Sequence, residues 1–329
     1  MRKLRRRNFL IAAAALAAHS PPALAQSERR VRRIGFLALA SAQSTAAFLA
    51  SFRAGMLELY WVEGRDYVID GRYGNGVMQA GPALADELLA TRPDLLLTPA
   101  DGTVRLLAQR TKTIPIVFAI SQDPVGNEIA ASLRRPGGNA TGLTNISTEL
   151  SAKRLQLLKE AFPRVMHVAL LFAPDEVGSV SQAKEIEGAA PRLGLRVTSI
   201  ELRQPADIEP AFKRAIALGA QAYMVTASGF ANTQRQVIAD RIIRLKVPSM
   251  FGNSLDVEVG GLMSYAASFT DNFRRAAAYV DKILKGAKPG DLPIQQPIKF
   301  EMVVNMKTAK AIGVTFTETF MLRVDRVIE

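Results

Sequence analysis

The sequence predicts an α/β protein of two Rossmann-like lobes, each around a mainly parallel sheet, with the chain passing between them more than once. Three observations predict it. A chain of 329 residues, 48% hydrophobic and 22% charged, has the size and composition of about two domains. Beyond its first residues it alternates short apolar runs with longer amphipathic ones, the pattern of βαβ units, and it does so twice. The stretch after Tyr265, roughly 65 residues with one extended run and two or three helical segments, lacks a core of its own and must complete lobes already begun.

The chain opens with an export signal. Met1 to Arg7 is basic, Phe9 to Ala18 is uninterrupted and apolar, and Pro21-Pro22-Ala23-Leu24-Ala25 offers an A-x-A-like cleavage site before Gln26. The apolar run is far below the roughly 20 residues that span a bilayer as a helix, so no stable membrane insertion is expected. Arg6-Arg7-Asn8-Phe9-Leu10 resembles a twin-arginine signal, with the general secretory route as the alternative. Residues 1–25 are therefore expected to be removed, leaving a periplasmic protein.

The first α/β round then follows in order. Strands are expected at Arg33 to Leu39, Asp66 to Tyr73, Leu95 to Thr98 and Ile114 to Ala119, with helices at Thr45 to Leu59, Gln79 to Ala90 and Thr103 to Gln109. Arg135-Pro136-Gly137-Gly138-Asn139 is a turn, and Ala140 to Asn145 is a short strand with the character of a crossing segment. The second round opens with a helix from Glu149 to Phe162, for which Ser147 or Thr148 is an available N-cap. Strands follow at Val168 to Phe172, Arg196 to Ile200, Ala222 to Thr226 and Val247 to Met250, separated by helices near Ser181 to Ala190, Asp207 to Leu218 and Asn232 to Leu245. The remainder reads as a helix from Phe269 to Lys285, a Pro-rich turn to Pro293, an extended run from Pro297 to Asn305 and helical segments from Lys307 to the end.

Composition excludes several classes of chemistry. There are no cysteines, which removes disulfides, thiolate metal sites, cysteine nucleophiles and a lipoprotein anchor. Only His167 remains after the leader, so histidine triads and histidine metal clusters have no material. No G-x-x-x-x-G-K-[ST] loop exists, and Gly74-x-Gly76 lacks the spacing of a dinucleotide fingerprint. The formal net charge is +12, but residues 1–25 carry five bases and no acid, which leaves 37 bases against 30 acids. That mildly basic surface has no basic segment interleaved with aromatics, so no nucleic acid partner is expected. The sequence calls for no cofactor, no metal and no catalytic residue.

Several segments, in order, carry a family resemblance: Phe52-Arg53-Ala54-Gly55-Met56 and Val62-Glu63-Gly64-Arg65-Asp66, then Asp123-Pro124-Val125-Gly126, then Leu133 to Gly142. Gly260-Gly261-Leu262-Met263-Ser264-Tyr265, Lys282 to Pro289, Leu292-Pro293, Asn305 to Gly313 and Asp325 to Glu329 complete the series. Over nearly the whole mature chain the sequence is similar to ABC transporter substrate-binding proteins, whose better-known members resemble tryptophan- or phenylalanine-binding proteins. Tyr60-Trp61 departs from the pattern, where a glycine is expected. The resemblance implies the type I periplasmic binding protein fold, two lobes joined by a three-segment hinge, with crossings near Asn145, Tyr265 and Asn305. The lobes would then be 26–145 plus 266–304, and 146–265 plus 305–329. It also implies a small-molecule ligand, for which an aromatic amino acid is the best candidate although the Ser-, Asn- and Asp-rich loops equally suit another small polar molecule, an ABC permease as partner, and action as a monomer. A periplasmic sensor feeding a membrane receptor and an exported enzyme are the alternatives.

Strand-to-helix loops on the facing edges are the favoured ligand contacts, because helix N-termini offer free N–H groups and a partial positive charge. The candidates are Ser41, Gln43, Ser44, Asp101, Thr103, Ser121 and Asp123 in the first lobe, with Asp175, Ser228, Asn232 and Asn253 in the second and Tyr265 at the hinge. Ser41, Ser44, Thr103 and Ser121 are expected to hold an anionic or polar group, and Asp101 or Asp175 to pair with an amine. Ser44, Asp123 and Asp175 have an alternative use as helix caps, and Phe172 and Phe230 as core rather than as stacking partners.

Overall fold

The computed structural model describes residues 30–329; the signal read at residues 1–25, with its twin-arginine-like motif, lies outside the described residues. The chain forms two α/β lobes around two sheets.

In the first lobe β1 (Arg32–Ala38), β2 (Tyr67–Tyr73), β3 (Leu95–Thr98), β4 (Ile116–Ser121) and β5 (Ala140–Thr144) make a five-stranded sheet in the order β2-β1-β3-β4-β5. Every pair in it is parallel. The central strands are buried on both faces, which is why they read as continuous apolar runs. One face is covered by α1 (Ala42–Glu58), whose Phe48, Phe52 and Met56 join Ile34, Phe36, Leu95 and Val117 in one cluster. The opposite face is covered by α2 (Gly81–Ala90) and α3 (Asp101–Arg110) through Ala85, Leu88, Val104 and Leu107.

The second lobe runs through α4 (Ser151–Ala161), β6 (His167–Phe172), α5 (Val177–Ala189), β7 (Arg196–Glu201), α6 (Ile208–Ala217), β8 (Ala222–Val225), α7 (Gly229–Leu245), β9 (Ser249–Phe251), α8 (Ser254–Glu258) and β10 (Met263–Ala267). The chain then returns to the first lobe as α9 (Phe269–Leu284), whose Phe273, Ala276, Ala277 and Val280 complete the α1 cluster. Gly55 permits the contact, since a Cβ there would sit 2.3 Å from the Arg274 carbonyl oxygen. After the turn the chain ends with β11 (Phe300–Asn305), α10 (Met306–Ile312), α11 (Glu318–Met321) and β12 (Arg326–Ile328). The seven-stranded sheet has the order β12-β11-β10-β9-β8-β6-β7 and is parallel except between β10 and β11.

Three expectations are corrected here. Residues 300–304, grouped with the first lobe, form β11 in the second sheet, so the third crossing precedes Phe300 rather than falling near Asn305. The end of the chain, expected to be helical, closes as β12, paired parallel with β11 from Val303↔Arg326 to Asn305↔Ile328. Three residues are too few for a period to declare itself, and the pairing partner lies elsewhere in the chain. The expected N-cap at Ser147 or Thr148 is also absent: α4 starts at Ser151 without a capping side chain.

The crossings are tied to one another. Thr144 N donates to Gln295 O at 2.9 Å and Gln295 N to Gly142 O at 3.1 Å, joining the first crossing to the third. Asn272, in the first turns of α9, donates from Nδ2 to Thr144 O at 3.1 Å.

Candidate ligand-binding cleft

The strand ends of the two lobes meet across a narrow gap. Gln122, after β4, reaches the start of α5: its Oε1 is 3.0 Å from where a Gly178 Cβ would stand. Leu255 of α8 packs against the first lobe's aromatic and aliphatic cluster. These contacts make the gap a cleft with polar loops on both walls.

On the first wall, Ser41 is the N-cap of α1, its Oγ accepting from Ser44 N at 3.2 Å, while Ser44 Oγ donates back to Ser41 O at 3.0 Å. Capping therefore falls to Ser41 rather than Ser44; Gln43 and Ser44 are exposed. Thr103 is buried, with Oγ1 bonded to Ala100 O at 2.7 Å and in close contact with Thr98 Oγ1. Asp101, the first residue of α3, accepts on Oδ2 from Gln122 N at 3.0 Å and Asn127 Nδ2 at 3.1 Å. Its Oδ1 is buried with no hydrogen bond of good geometry. Burial pushes the Asp101 carboxyl up, against the opposite pull of the nearby Ser121 hydroxyl and the Gln122 and Asp123 amides. Asp123 caps a turn, Oδ1 accepting from Gly126 N at 2.8 Å.

On the second wall, Asp175 is exposed and bonded to Arg203 at 2.6 Å, so it is already paired with a neighbour in its own lobe. The start of α7 is closed from within: Glu176 accepts from Gly229 N at 2.7 Å and Phe230 N at 2.9 Å, and Ser228 Oγ from Ala231 N at 3.0 Å. Asn253 bonds Asn232, Nδ2 to Oδ1 at 2.9 Å, and caps α8 through Leu255 N at 3.0 Å. Tyr265 is half-buried in β10, its ring 6.1 Å from that of Phe300. Phe172 and Phe230 pack on the two faces of the second sheet's core. By contrast α3 and α5 have no capping side chain; Thr103 N and Ser179 N turn to the Ala100 and Glu176 carbonyls, and no side chain closes the amides ahead of them.

The structure thus gathers Asp101, Ser121 and Asp123 around Gln122, and Asn232 with Asn253, but leaves Ser41 and Ser44 bonded to each other and draws Asp175 to Arg203. Three important residues escaped the sequence reading. Glu176 is not among the candidates because its role depends on amides more than fifty residues away, for which no local signature exists. Arg154 and Asp256 form a buried charged centre behind the cleft. Arg154 donates to Ser147 O at 2.9 Å, Tyr265 O at 2.7 Å and Gly252 O at 3.0 Å, and burial lowers it to about 10. Asp256 has both carboxylate oxygens buried without a hydrogen bond, and burial raises it to about 7 although Arg235 and Arg154 pull it down.

Beside the first and third crossings a cavity of about 330 Å³ opens between Gln122 of the first lobe, Ser181 of α5 and Gln296. Among the described residues no group of acids and histidines is arranged to hold a metal ion, and no helix is long and apolar enough to cross a membrane. His167, the one histidine among the described residues, is buried at the start of β6 with Nε2 2.9 Å from Thr198 Oγ1.

Residues 34–328 match the family described as ABC transporter substrate binding protein. A Vibrio cholerae conserved domain protein of known structure is similar with a TM-score of 0.80 and 24% identity, covering 91% of this chain and 100% of that one. An ABC domain from Streptococcus pneumonia, solved in complex with L-Trp, also gives 0.80, with 25% identity over the same shares. A tyrosine-binding protein of Clostridioides difficile is 20% identical over 285 residues, 86% of this chain and 81% of that protein.

Proposed function

This chain belongs to the ABC transporter substrate binding protein family, and from that premise we propose that it captures an aromatic amino acid outside the cytoplasm and delivers it to a membrane ABC permease. One observation carries the choice of ligand: the similar pneumococcal domain was solved with L-Trp in place, over 91% of this chain. The tyrosine-binding relative points to the same chemical class.

The cleft supports a division of labour. The ligand's ammonium pairs with Asp101, whose Oδ1 has no good hydrogen bond, and Ser121 stands beside it. Asp175 drops to a secondary candidate because Arg203 holds it. The ligand's carboxylate takes the uncapped amides of α3 and α5, while Glu176 bars it from α7. Thr103, Asp123, Asn232, Asn253 and Tyr265 shape the walls, and Ser41, Gln43, Ser44 and Ser228 the rim.

Delivery follows from closure. A ligand touching both walls stabilises the closed arrangement in proportion to its preference for it, and the closed surface is what the permease reads. The basic and apolar leader supplies export to the periplasm. The function is binding and release, with no covalent step.

Titration calorimetry with L-tryptophan, L-phenylalanine and L-tyrosine, beside L-leucine and a hexose, tests the reading. Saturable binding confined to the aromatic amino acids is expected, and weakened by Asp101→Asn. Heat with the hexose alone, or with none of the three aromatics, would overturn it.

A further inference from the structure

Four neighbouring strands of the second sheet, in the order β9-β8-β6-β7, run parallel and so begin on one rim, the rim that faces away from the cleft. The segments leading into them, 162–166, 190–196, 214–221 and 244–248, contain six basic residues and no acid. Arg164 precedes β6, Arg192 precedes and Arg196 begins β7, Arg214 precedes β8, and Arg244 and Lys246 precede β9. All six are exposed, and none forms an ion pair among the described residues. Lys159, which reaches the loop before β6, donates to the Pro163 and Val165 carbonyls at 2.9 and 2.8 Å rather than to an acid. With strands about 4.8 Å apart, the row spans about 15 Å.

The other rims are built differently. Asp175, Glu176 and Glu201 stand at the far ends of the same strands. At the strand starts of the first lobe basic residues have acids beside them, Arg32 with Asp94 at 3.4 Å and Arg65 with Asp66 at 2.7 Å. Like charges gathered on one surface repel one another, and within the described fold nothing offsets this row. Apolar side chains lie among them: Met166 is 54% exposed, Ile216 53% and Leu218 38%. Met166 N donates to Gln221 Oε1 at 2.7 Å and its carbonyl accepts from Arg196 N at 2.8 Å, which joins the approaches to β7, β6 and β8 in one continuous surface. Phe162, the one aromatic residue of the four segments, packs against Phe316, so no ring is presented to a nucleobase. Unpaired cations interspersed with exposed aliphatic and thioether groups match the headgroup layer of an anionic bilayer, which is negative at its surface and apolar beneath.

We infer that this end of the second lobe docks on an anionic phospholipid bilayer, with headgroup phosphates against the six basic residues and Met166, Ile216 and Leu218 entering the headgroup layer. Because the rim lies opposite the cleft, the lobes stay free to open and close on their ligand while the protein is held. The inference does not depend on which ligand the cleft takes.

The test is co-sedimentation with vesicles of phosphatidylcholine and phosphatidylglycerol in equal parts, beside vesicles of phosphatidylcholine alone. The protein is used without residues 1–25, which leaves every described residue in place. Binding is expected to the mixed vesicles only, and to weaken with added salt. Each Lys or Arg near such a surface contributes about fivefold in affinity. Arg164→Gln, Arg192→Gln and Arg196→Gln together should therefore weaken binding at least about tenfold. Lys112→Gln, Lys282→Gln and Lys288→Gln, the same loss of charge at exposed sites of the first lobe, should weaken it by no more than about twofold. Met166→Ser with Ile216→Ser should weaken it about threefold or more, with an unchanged melting temperature. No binding to the mixed vesicles, or equal effects of the two triple variants, would overturn the docking surface. Polyglutamate bound as tightly as the vesicles, with the Met166 and Ile216 pair without effect on either, would assign the face to an acidic protein and overturn the lipid.

Discussion

Replacing Asp256 with asparagine should make the protein more stable, and by an amount that depends on pH. The carboxyl is fully buried, neither oxygen is hydrogen-bonded, and its pKa is raised from 3.8 to about 7 in the folded chain. Between those values the folded chain holds a proton that the unfolded chain has released, so stability is lost as pH rises through the window. Each pH unit is worth about 1.4 kcal/mol, and the full window roughly 4 kcal/mol. Asparagine keeps the volume and cannot ionise, while the backbone bonds of residue 256, to Asn253 Oδ1 and from Gly261 N, do not depend on the side chain. The stability difference between Asp256→Asn and wild type should therefore grow by about 2–3 kcal/mol from pH 5 to pH 8. Urea denaturation of both proteins at each pH measures it, and the titration of every other group cancels in the difference. A difference that stays flat, or a variant that is the weaker protein at pH 8, would mean that Arg154 and Arg235 hold the carboxylate ionised, and the argument from burial would be refuted.

Three further substitutions probe other parts of the frame. Arg154→Met strips the Ser147, Tyr265 and Gly252 carbonyls of their shared donor, and should cost about 3–5 kcal/mol in urea denaturation; a loss below about 1 kcal/mol would show that water replaces the guanidinium. Glu176→Ala opens the start of α7 and should cost about 1–2 kcal/mol by the same assay, while allowing a weak chloride or acetate site to be seen by NMR; unchanged stability would mean that the cap is not formed in solution. Gly55→Ala drives a methyl group into the Arg274 carbonyl and should cost about 1–3 kcal/mol, with chemical shifts moving along both α1 and α9.

The alternation of apolar and amphipathic runs was enough to find most strands of both sheets, because a strand buried on both faces announces itself by composition. The β3 run Leu95–Thr98 and the first four residues of the β8 run coincide with the observed strands. What was hidden depends on partners distant in the chain. β11 pairs with β10 across the whole of α9, and nothing in Phe300–Asn305 says which lobe it will join. The polar residues divide the same way. Ser41 and Asn253 cap helices a few residues away, a local use that spacing can suggest. Asp175 is claimed by Arg203 and α7 by Glu176, and both pairings exist only once the strands are side by side. Arg154 sits in an amphipathic helix among ordinary basic residues, and its burial follows from the direction its helix face takes in the fold.

The return of the chain into the first lobe as α9, and back again as β11 and β12, has a consequence for biogenesis. The N-terminal half leaves the ribosome without the helix that covers one face of its sheet, and the other half waits for its last strands until synthesis is nearly over. Neither half can therefore mature alone while translation proceeds, and a protein interrupted before about residue 300 would expose a sheet edge and invite aggregation.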